Sequence, residues 1–131
     1  MMKYLLDTHL LIWALEDAPN LTSKMKKLIN NPGNELYFSA ASIWEIAIKQ
    51  SRAKGDFGFD ANSMRRTLLE NGYVELPITG AHATGVAGLP KHHADPFDRL
   101  LISQATKEEL LLVTHDSKIK MYADGYPVTF V

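Results

Sequence analysis

The sequence predicts an α/β layered domain with a mostly parallel central sheet and right-handed crossovers. Two observations predict it. Short apolar runs such as "KYLL" and "LLLVTHD" read as buried strands, and segments with helical apolar spacing separate them, so the two kinds alternate along the chain. No internal repeat, low-complexity tract or linker interrupts that order, so the 131 residues are expected to form one domain, 1–131. A chain of that length removes roughly two thirds of its unfolded surface from water on folding, enough for a real core.

Each element has its own signal. Residues 3–6 form the first strand, and "THLLIWALED" follows with Leu10, Leu11, Trp13, Ala14 and Leu15 largely on one helical side, ending at Ala18, Pro19 and Asn20. "LTSKMKKLINN" sets Leu21, Met25, Leu28 and Ile29 at helical spacing with lysines between, and Pro32 and Gly33 stop it. "ELYFSA" is an aromatic-rich strand. In "SIWEIAIKQSRAKG", Ile43, Ile46 and Ala47 repeat as in a helix that Gly55 closes. "DANSMRRTLLENG" is a further helix, capped by Asp60 or Asn62 and ended by Gly72. "YVELPI" is a strand that Pro77 places at an edge or an end. "TGAHATGVAGL" reads as a short helix, "PKHHADP" as loop, "FDRLLISQATKEE" as an amphipathic helix and "LLLVTHD" as a buried strand. "SKIKMYADG" is a short helix or turn, and "PVTFV" is the last strand.

Composition narrows the class. The chain is 46% hydrophobic and 22% charged, as soluble globular proteins are. It has no cysteine, which excludes a disulfide framework, a thiolate metal site and a cysteine nucleophile, and which suits a reducing, cytoplasmic location. The opening "MMKYLLDTHLLIWALED" reads as mature structure and not as a signal peptide, because Asp7 and His9 break its apolar run. No stretch approaches the ~20 apolar residues of a membrane helix, so no membrane partner is expected. A formal net charge of −1 does not announce a nucleic-acid binder. Carboxylates gathered on a cation would leave the remaining surface more basic than that total suggests.

Four carboxylates occupy corresponding places. In parallel α/β sheets, ligands bind beyond the carboxyl ends of the strands. Asp7 and Asp116 end strands, Glu45 lies one turn into the helix after "ELYFSA", and Asp98 opens the helix "FDRLLISQATKEE". Each position also has a local account. Asp7 and Asp95 fit helix N-caps, with Pro96 at the first helical position, Ser42 and Glu45 have capping-box spacing, and Asp116 before Ser117 fits an Asx-turn. Four convergent carboxylates repel, so a site holding them needs protons or a cation, for which a hard divalent ion with oxygen ligands, Mg²⁺ or Mn²⁺, is the natural choice.

"LLDTHLLIW", "SAASIWEIAIK", "HADPFDRLLISQA" and "LLLVTHD", in that order and with "VELPI" between the second and third, resemble the PIN-domain ribonucleases and, within them, the VapC-like toxins of toxin–antitoxin pairs. The resemblance runs over almost the whole chain. It implies a PIN-like three-layer α/β/α domain whose acidic catalytic and metal site is Asp7, Glu45, Asp98 and Asp116. Thr8 and Thr114 match polar positions that orient a ligand or water beside the metal, and Asp95 is a helix cap first and a metal neighbour second.

The implied activity is metal-dependent endonucleolytic cleavage of RNA by water attacking in line on a phosphate, with one ion or two. The family acts on structured RNAs such as transfer or ribosomal RNA. Arg99, Lys49 and Arg52 are the foremost candidates to hold that RNA, followed by Lys54, Lys91, His92 and His93. The resemblance also implies a cognate antitoxin whose segment blocks the site from a groove, with Trp13, Leu21 and Met25 as candidate groove residues, and a homodimer. Trp13 and Trp44 lie on apolar helical sides, as core or dimer contacts. Two alternatives stand beside this reading. One is a catalytically silent PIN-like module that binds protein or RNA. The other is a transition-metal site built from His92 and His93 with His9, His82 or His115.

Overall fold

A computed structural model of the chain describes residues 2–52 and 60–131. Lys54 and Gly55, the expected end of the third helix, lie outside the described residues. Five strands, β1 (Lys3–Leu6), β2 (Glu35–Ser39), β3 (Val74–Leu76), β4 (Leu111–Thr114) and β5 (Val128–Phe130), form one sheet in the order β3-β2-β1-β4-β5. Every pairing is parallel. β3 is an edge strand, which is where Pro77 just beyond it is tolerated.

The helices are α1 (Thr8–Glu16), α2 (Ser23–Asn30), α3 (Ala40–Arg52), α4 (Ala61–Glu70), α5 (Gly80–Gly85) with a 3₁₀ turn at Val86–Gly88, α6 (Pro96–Glu108) and α7 (Ser117–Lys120). Alternate strand residues feed two cores. Leu6, Phe38 and Val113 pack with Leu10, Leu11, Met25, Ile46, Met64 and Leu68 from α1 to α4. Leu5, Leu76, Leu112 and Val128 pack with Leu101, Ile102, Ala105, Ile119 and Tyr122. Helices therefore cover both faces in a three-layer α/β/α arrangement. The covering helices change face where the winding reverses, from β1-β2-β3 to β4-β5, as crossovers of one hand require.

Two helix starts, those of α2 and α3, differ from the sequence expectation. α2 begins at Ser23, because Thr22 stands outside it and its Oγ1 accepts the Met25 N–H at 3.2 Å. α6 takes in Pro96, with Asp95 as its cap. α3 begins at Ala40, directly from β2, and the Ser42–Glu45 capping box does not form. Ser39 serves that end instead, its Oγ accepting the Ala41 N–H at 3.0 Å, while Ser42 lies inside the helix and accepts from Thr8 Oγ1 at 2.8 Å. Of the two candidate caps of α4, Asp60 is the one used.

One buried polar network crosses the core. Ser39 Oγ donates to Gln104 Oε1 at 2.6 Å, Gln104 Nε2 reaches the Pro77 carbonyl at 3.3 Å, and Ser103 Oγ donates to the His82 carbonyl at 2.6 Å. His82 Nδ1 accepts the Thr79 N–H at 3.0 Å. Ser39, His82, Ser103 and Gln104 are all essentially inaccessible to water, and each has its partner.

Candidate active site

The chain winds outward from β1 through β2 to β3 and then returns to place β4 on the other side of β1, so the strand order reverses between β1 and β4. Ligands of open parallel sheets bind in the crevice at such a reversal, beyond the carboxyl ends of the strands. Asp7 follows β1 at that point, and Asp116 stands two residues after β4.

Asp7 is buried, at 2% exposure. It does cap α1, its Oδ1 accepting the Leu10 N–H at 2.9 Å, but its second oxygen is held from across the sheet, where Thr114 Oγ1 donates to Oδ2 at 2.5 Å. Thr114 Oγ1 also accepts the Asp116 N–H at 3.0 Å. One threonine thus sets the positions of two acids. Burial pushes the Asp7 carboxyl above the ordinary aspartate range against these hydrogen bonds, and the charge of Asp116 adds to the rise.

Asp98 reaches the same crevice from the first turn of α6. Burial raises its pKa from 3.8 to about 6, the hydrogen bond with His93 opposes the rise, and the charges of Asp95 and Asp7 reinforce it. His93 Nε2 lies 2.7 Å from Asp98 Oδ2. Single donor atoms of His93, Asp98 and Asp116 all lie within 4.8 Å of one another, and among the described residues no other group of three or more acids and histidines does so.

The remaining candidates stand around this centre. Glu45 is nearly buried on α3, and its carboxylate pairs with Lys49 at 3.2 Å, one turn on, outside the three-residue cluster. Thr8 donates to Ser42 and ties the start of α1 to α3. Asp95 is a cap, with Oδ1 accepting the Phe97 and Asp98 N–H groups. Arg52 is exposed at the end of α3.

Arg99 turns away from the acids that neighbour it in sequence. Its guanidinium donates to the carbonyls of Val86, Leu89, Pro90 and His93 and to Tyr122 Oη, between 2.9 and 3.4 Å. That geometry makes it a brace for the loop before α6, because donors committed to five protein oxygens have little left for a phosphate. Tyr122 completes the brace: its buried hydroxyl donates to the Pro90 carbonyl at 2.6 Å and accepts the His93 N–H at 3.2 Å.

The sequence places His93 among candidate RNA-holding residues and in the alternative transition-metal site. Its position among the acids had no sequence signal beyond a histidine five residues before Asp98. The other histidines do not converge with it. His82 belongs to the buried network, and His92 packs edge-on against Tyr122 with ring centres 5.0 Å apart. His9 and His115 flank Trp13, and the three line a cleft with Asp7 and Asp116. Trp44, beside Glu45, is not a core residue: it is 57% exposed and lies edge-on to Phe97 at 5.1 Å.

The donor set fits a hard divalent cation. Asp98 and Asp116 come together with His93, Asp7 stands outside that group but near enough for its charge to act on both acids, and burial and mutual repulsion raise the pKa of Asp7 and Asp98. Among the described residues, no lysine or arginine pairs with Asp7, Asp98 or Asp116 to neutralise them.

Comparison with known proteins agrees with this architecture. The family model described as PIN domain matches residues 4–125. Among solved structures, the chain is similar to one in VapBC2 from Rickettsia felis bound to a DNA fragment from their promoter (TM-score 0.71, 18% identity, covering 98% of each chain). It is also similar to one in VapBC-1 from nontypeable Haemophilus influenzae (TM-score 0.65, 16% identity, 98% of each chain). A third is VapBC-5, of the VapBC family of toxin–antitoxin systems, from Mycobacterium tuberculosis (TM-score 0.64, 17% identity, 100% of this chain and 98% of that one). At such identities the likeness is one of fold. No curated protein matches the sequence.

Proposed function

The chain belongs to the PIN-domain family, and from that premise we propose that it is a divalent-metal-dependent endoribonuclease serving as the toxin of a toxin–antitoxin pair. The observation that carries the reading is the meeting of Asp98 and Asp116 at the strand-order reversal with Asp7 near enough to act on both, two of the three acids with raised pKa values and none paired with a lysine or arginine among the described residues. A structural role alone gives no reason to gather acids that no lysine or arginine neutralises among the described residues.

Asp7, Asp98 and Asp116 hold Mg²⁺ or Mn²⁺, with Glu45 completing the set once its carboxylate leaves Lys49. The cation supplies positive charge to the phosphate oxygens and makes water more acidic. The residues supply geometry. Thr114 keeps one Asp7 oxygen fixed and, through the Asp116 N–H, holds the second acid in register with the first. Thr8 fastens α1 to α3, which keeps Glu45 at the rim. Asp95 anchors the first turn of α6, and so the direction from which Asp98 enters.

RNA phosphates are met by Arg52 at the end of α3 and by Lys91 beside the cluster, contacts that give salt-dependent affinity with little sequence information. The partners are a structured RNA of the transfer or ribosomal class, a cognate antitoxin and a second copy of the chain, in a single 1–131 domain working in the cytoplasm. The similar solved structures, VapBC complexes, support the antitoxin. No described helix is long and apolar enough to cross a membrane.

The test is cleavage of total RNA by the purified chain with Mg²⁺ or Mn²⁺, with EDTA, and with Asp116→Asn. Cleavage should stop on chelation and fall more than about 100-fold in the variant, since the charge stabilisation at stake is several kcal/mol. Cleavage that survives both would return the chain to a silent binding module.

A further inference from the structure

We propose that His93 supplies a nitrogen donor to the metal-holding site, so that the site prefers a first-row transition ion such as Mn²⁺ to Mg²⁺. The proposal rests on the nuclease reading above and concerns which ion that site takes. Nε2 of His93 stands 2.7 Å from Asp98 Oδ2 and belongs with Asp98 and Asp116 to the group whose donor atoms lie within 4.8 Å of one another. An ion with bonds of about 2.1 Å spans donors roughly 3–4 Å apart, so small side-chain shifts close this group on one cation.

The loop that carries His93 is built to hold it there. Its N–H is bonded to the buried Tyr122 hydroxyl and its carbonyl to Arg99, and the same two residues also hold the Pro90 carbonyl. These bonds fix the backbone on both sides of the imidazole as well as satisfying the Tyr122 hydroxyl, whose residue is fully buried in the core. The side chain is sheltered, at 10% exposure, as a fixed donor needs to be and a mobile surface cation does not.

The chemistry then discriminates. Mg²⁺ demands oxygen ligands and keeps its waters, whereas transition ions accept imidazole readily. If His93 only steadied Asp98 by a hydrogen bond, its loss would weaken every ion alike.

The experiment titrates Mn²⁺ into the wild-type chain, His93→Ala and His93→Asn, following free Mn²⁺ by electron paramagnetic resonance. Mg²⁺ affinity is measured by competition, and directly bound nitrogen by electron spin echo modulation from ¹⁴N. Wild type should show the nitrogen coupling. Both variants should lose it, with Mn²⁺ affinity falling about tenfold or more and Mg²⁺ affinity changing less than about twofold. The asparagine variant, close in size and able to hydrogen-bond Asp98, carries the result if alanine loosens the loop. Mn²⁺ bound by wild type without nitrogen coupling, or equal losses for the two ions, would overturn the role of His93 and leave the nuclease reading standing. Failure of wild type to bind either ion would overturn both.

Discussion

Two polar centres of this fold are built by opposite rules. In the network of Ser39, His82, Ser103 and Gln104, donors and acceptors are matched one to another. At the carboxyl edge of the sheet, Asp7, Asp98 and Asp116 bring acceptors together, with His93 and Thr114 as the side-chain donors among them. The network is buried throughout, whereas at the acidic centre Asp7 is buried and His93, Asp98 and Asp116 are half-buried. What also separates them is the balance of donors and acceptors: a closed network has nothing left to offer a ligand, whereas a surplus of one sign attracts the other.

The sharpest way to break the comparison is to exchange the expected losses. Asp98→Asn should cut RNA cleavage more than about 100-fold while the chain stays folded. Gln104→Ala should leave the metal affinity of the acidic cluster unchanged but cost about 2–4 kcal/mol in urea unfolding, because it strips the Ser39 hydroxyl of its acceptor and opens a void between α6 and β2. A Gln104 variant that lost metal binding without losing stability would make the network part of the site.

Gly85 probes how tightly the closed network is packed. A Cβ there would lie 2.5 Å from Ser103 Oγ and 3.3 Å from Lys107 Cε, so Gly85→Ala must displace the hydroxyl from the His82 carbonyl. A loss of about 1–3 kcal/mol is expected, and Ser103→Ala in the same chain should cost less than the sum of the two changes. Strict additivity would show that the network tolerates movement.

The open centre has a pH signature instead. The Asp98 pKa, raised from 3.8 to about 6, means that the folded chain binds this proton more tightly than the unfolded chain. The associated stability is fully present below the lower value and is lost as pH rises through the upper one. Asparagine does not titrate. In metal-free buffer Asp98→Asn should therefore gain on wild type between pH 4 and pH 7, ending a few degrees higher in Tm, and added Mn²⁺ should favour wild type again. A constant difference across that range would mean that Asp98 ionises freely.

The smallest expected effect concerns Lys49. Its pair with Glu45 is an i,i+4 contact of 3.2 Å, so Lys49→Met should change stability by no more than about 0.5 kcal/mol and should free the Glu45 carboxylate for the cation. Unchanged or faster cleavage is expected, and a tenfold loss would show instead that the lysine holds RNA.

Much of the fold was legible because apolar spacing records it. All five strands and the principal helices fall where the sequence places them, and the β3 edge follows from Pro77. The starts of α2 and α3 were not legible, since a threonine or serine can cap either its own turn or a neighbouring element, and only tertiary contacts decide. Ser42 shows this, with its hydroxyl bonded to Thr8. At the site, Asp7, Asp98 and Asp116 were legible as acids at strand ends or helix starts. Arg99 was misread because adjacent residues on a helix point about 100° apart, so nearness to Asp98 in sequence says little about direction. His93 was hidden for a related reason. A loop has no period, and which of two adjacent imidazoles turns inward depends on Tyr122, 29 residues away.

The bond between Thr114 and Asp7 joins residues 107 positions apart. Nothing local builds this centre, and it appears only when β4 docks against β1. Pairings so distant in sequence form late and slowly. At a synthesis rate of about 10 residues per second, roughly ten seconds separate the emergence of the first acid from that of the last. A chain still being made carries scattered carboxylates and no assembled site until β4 has arrived and folded into place.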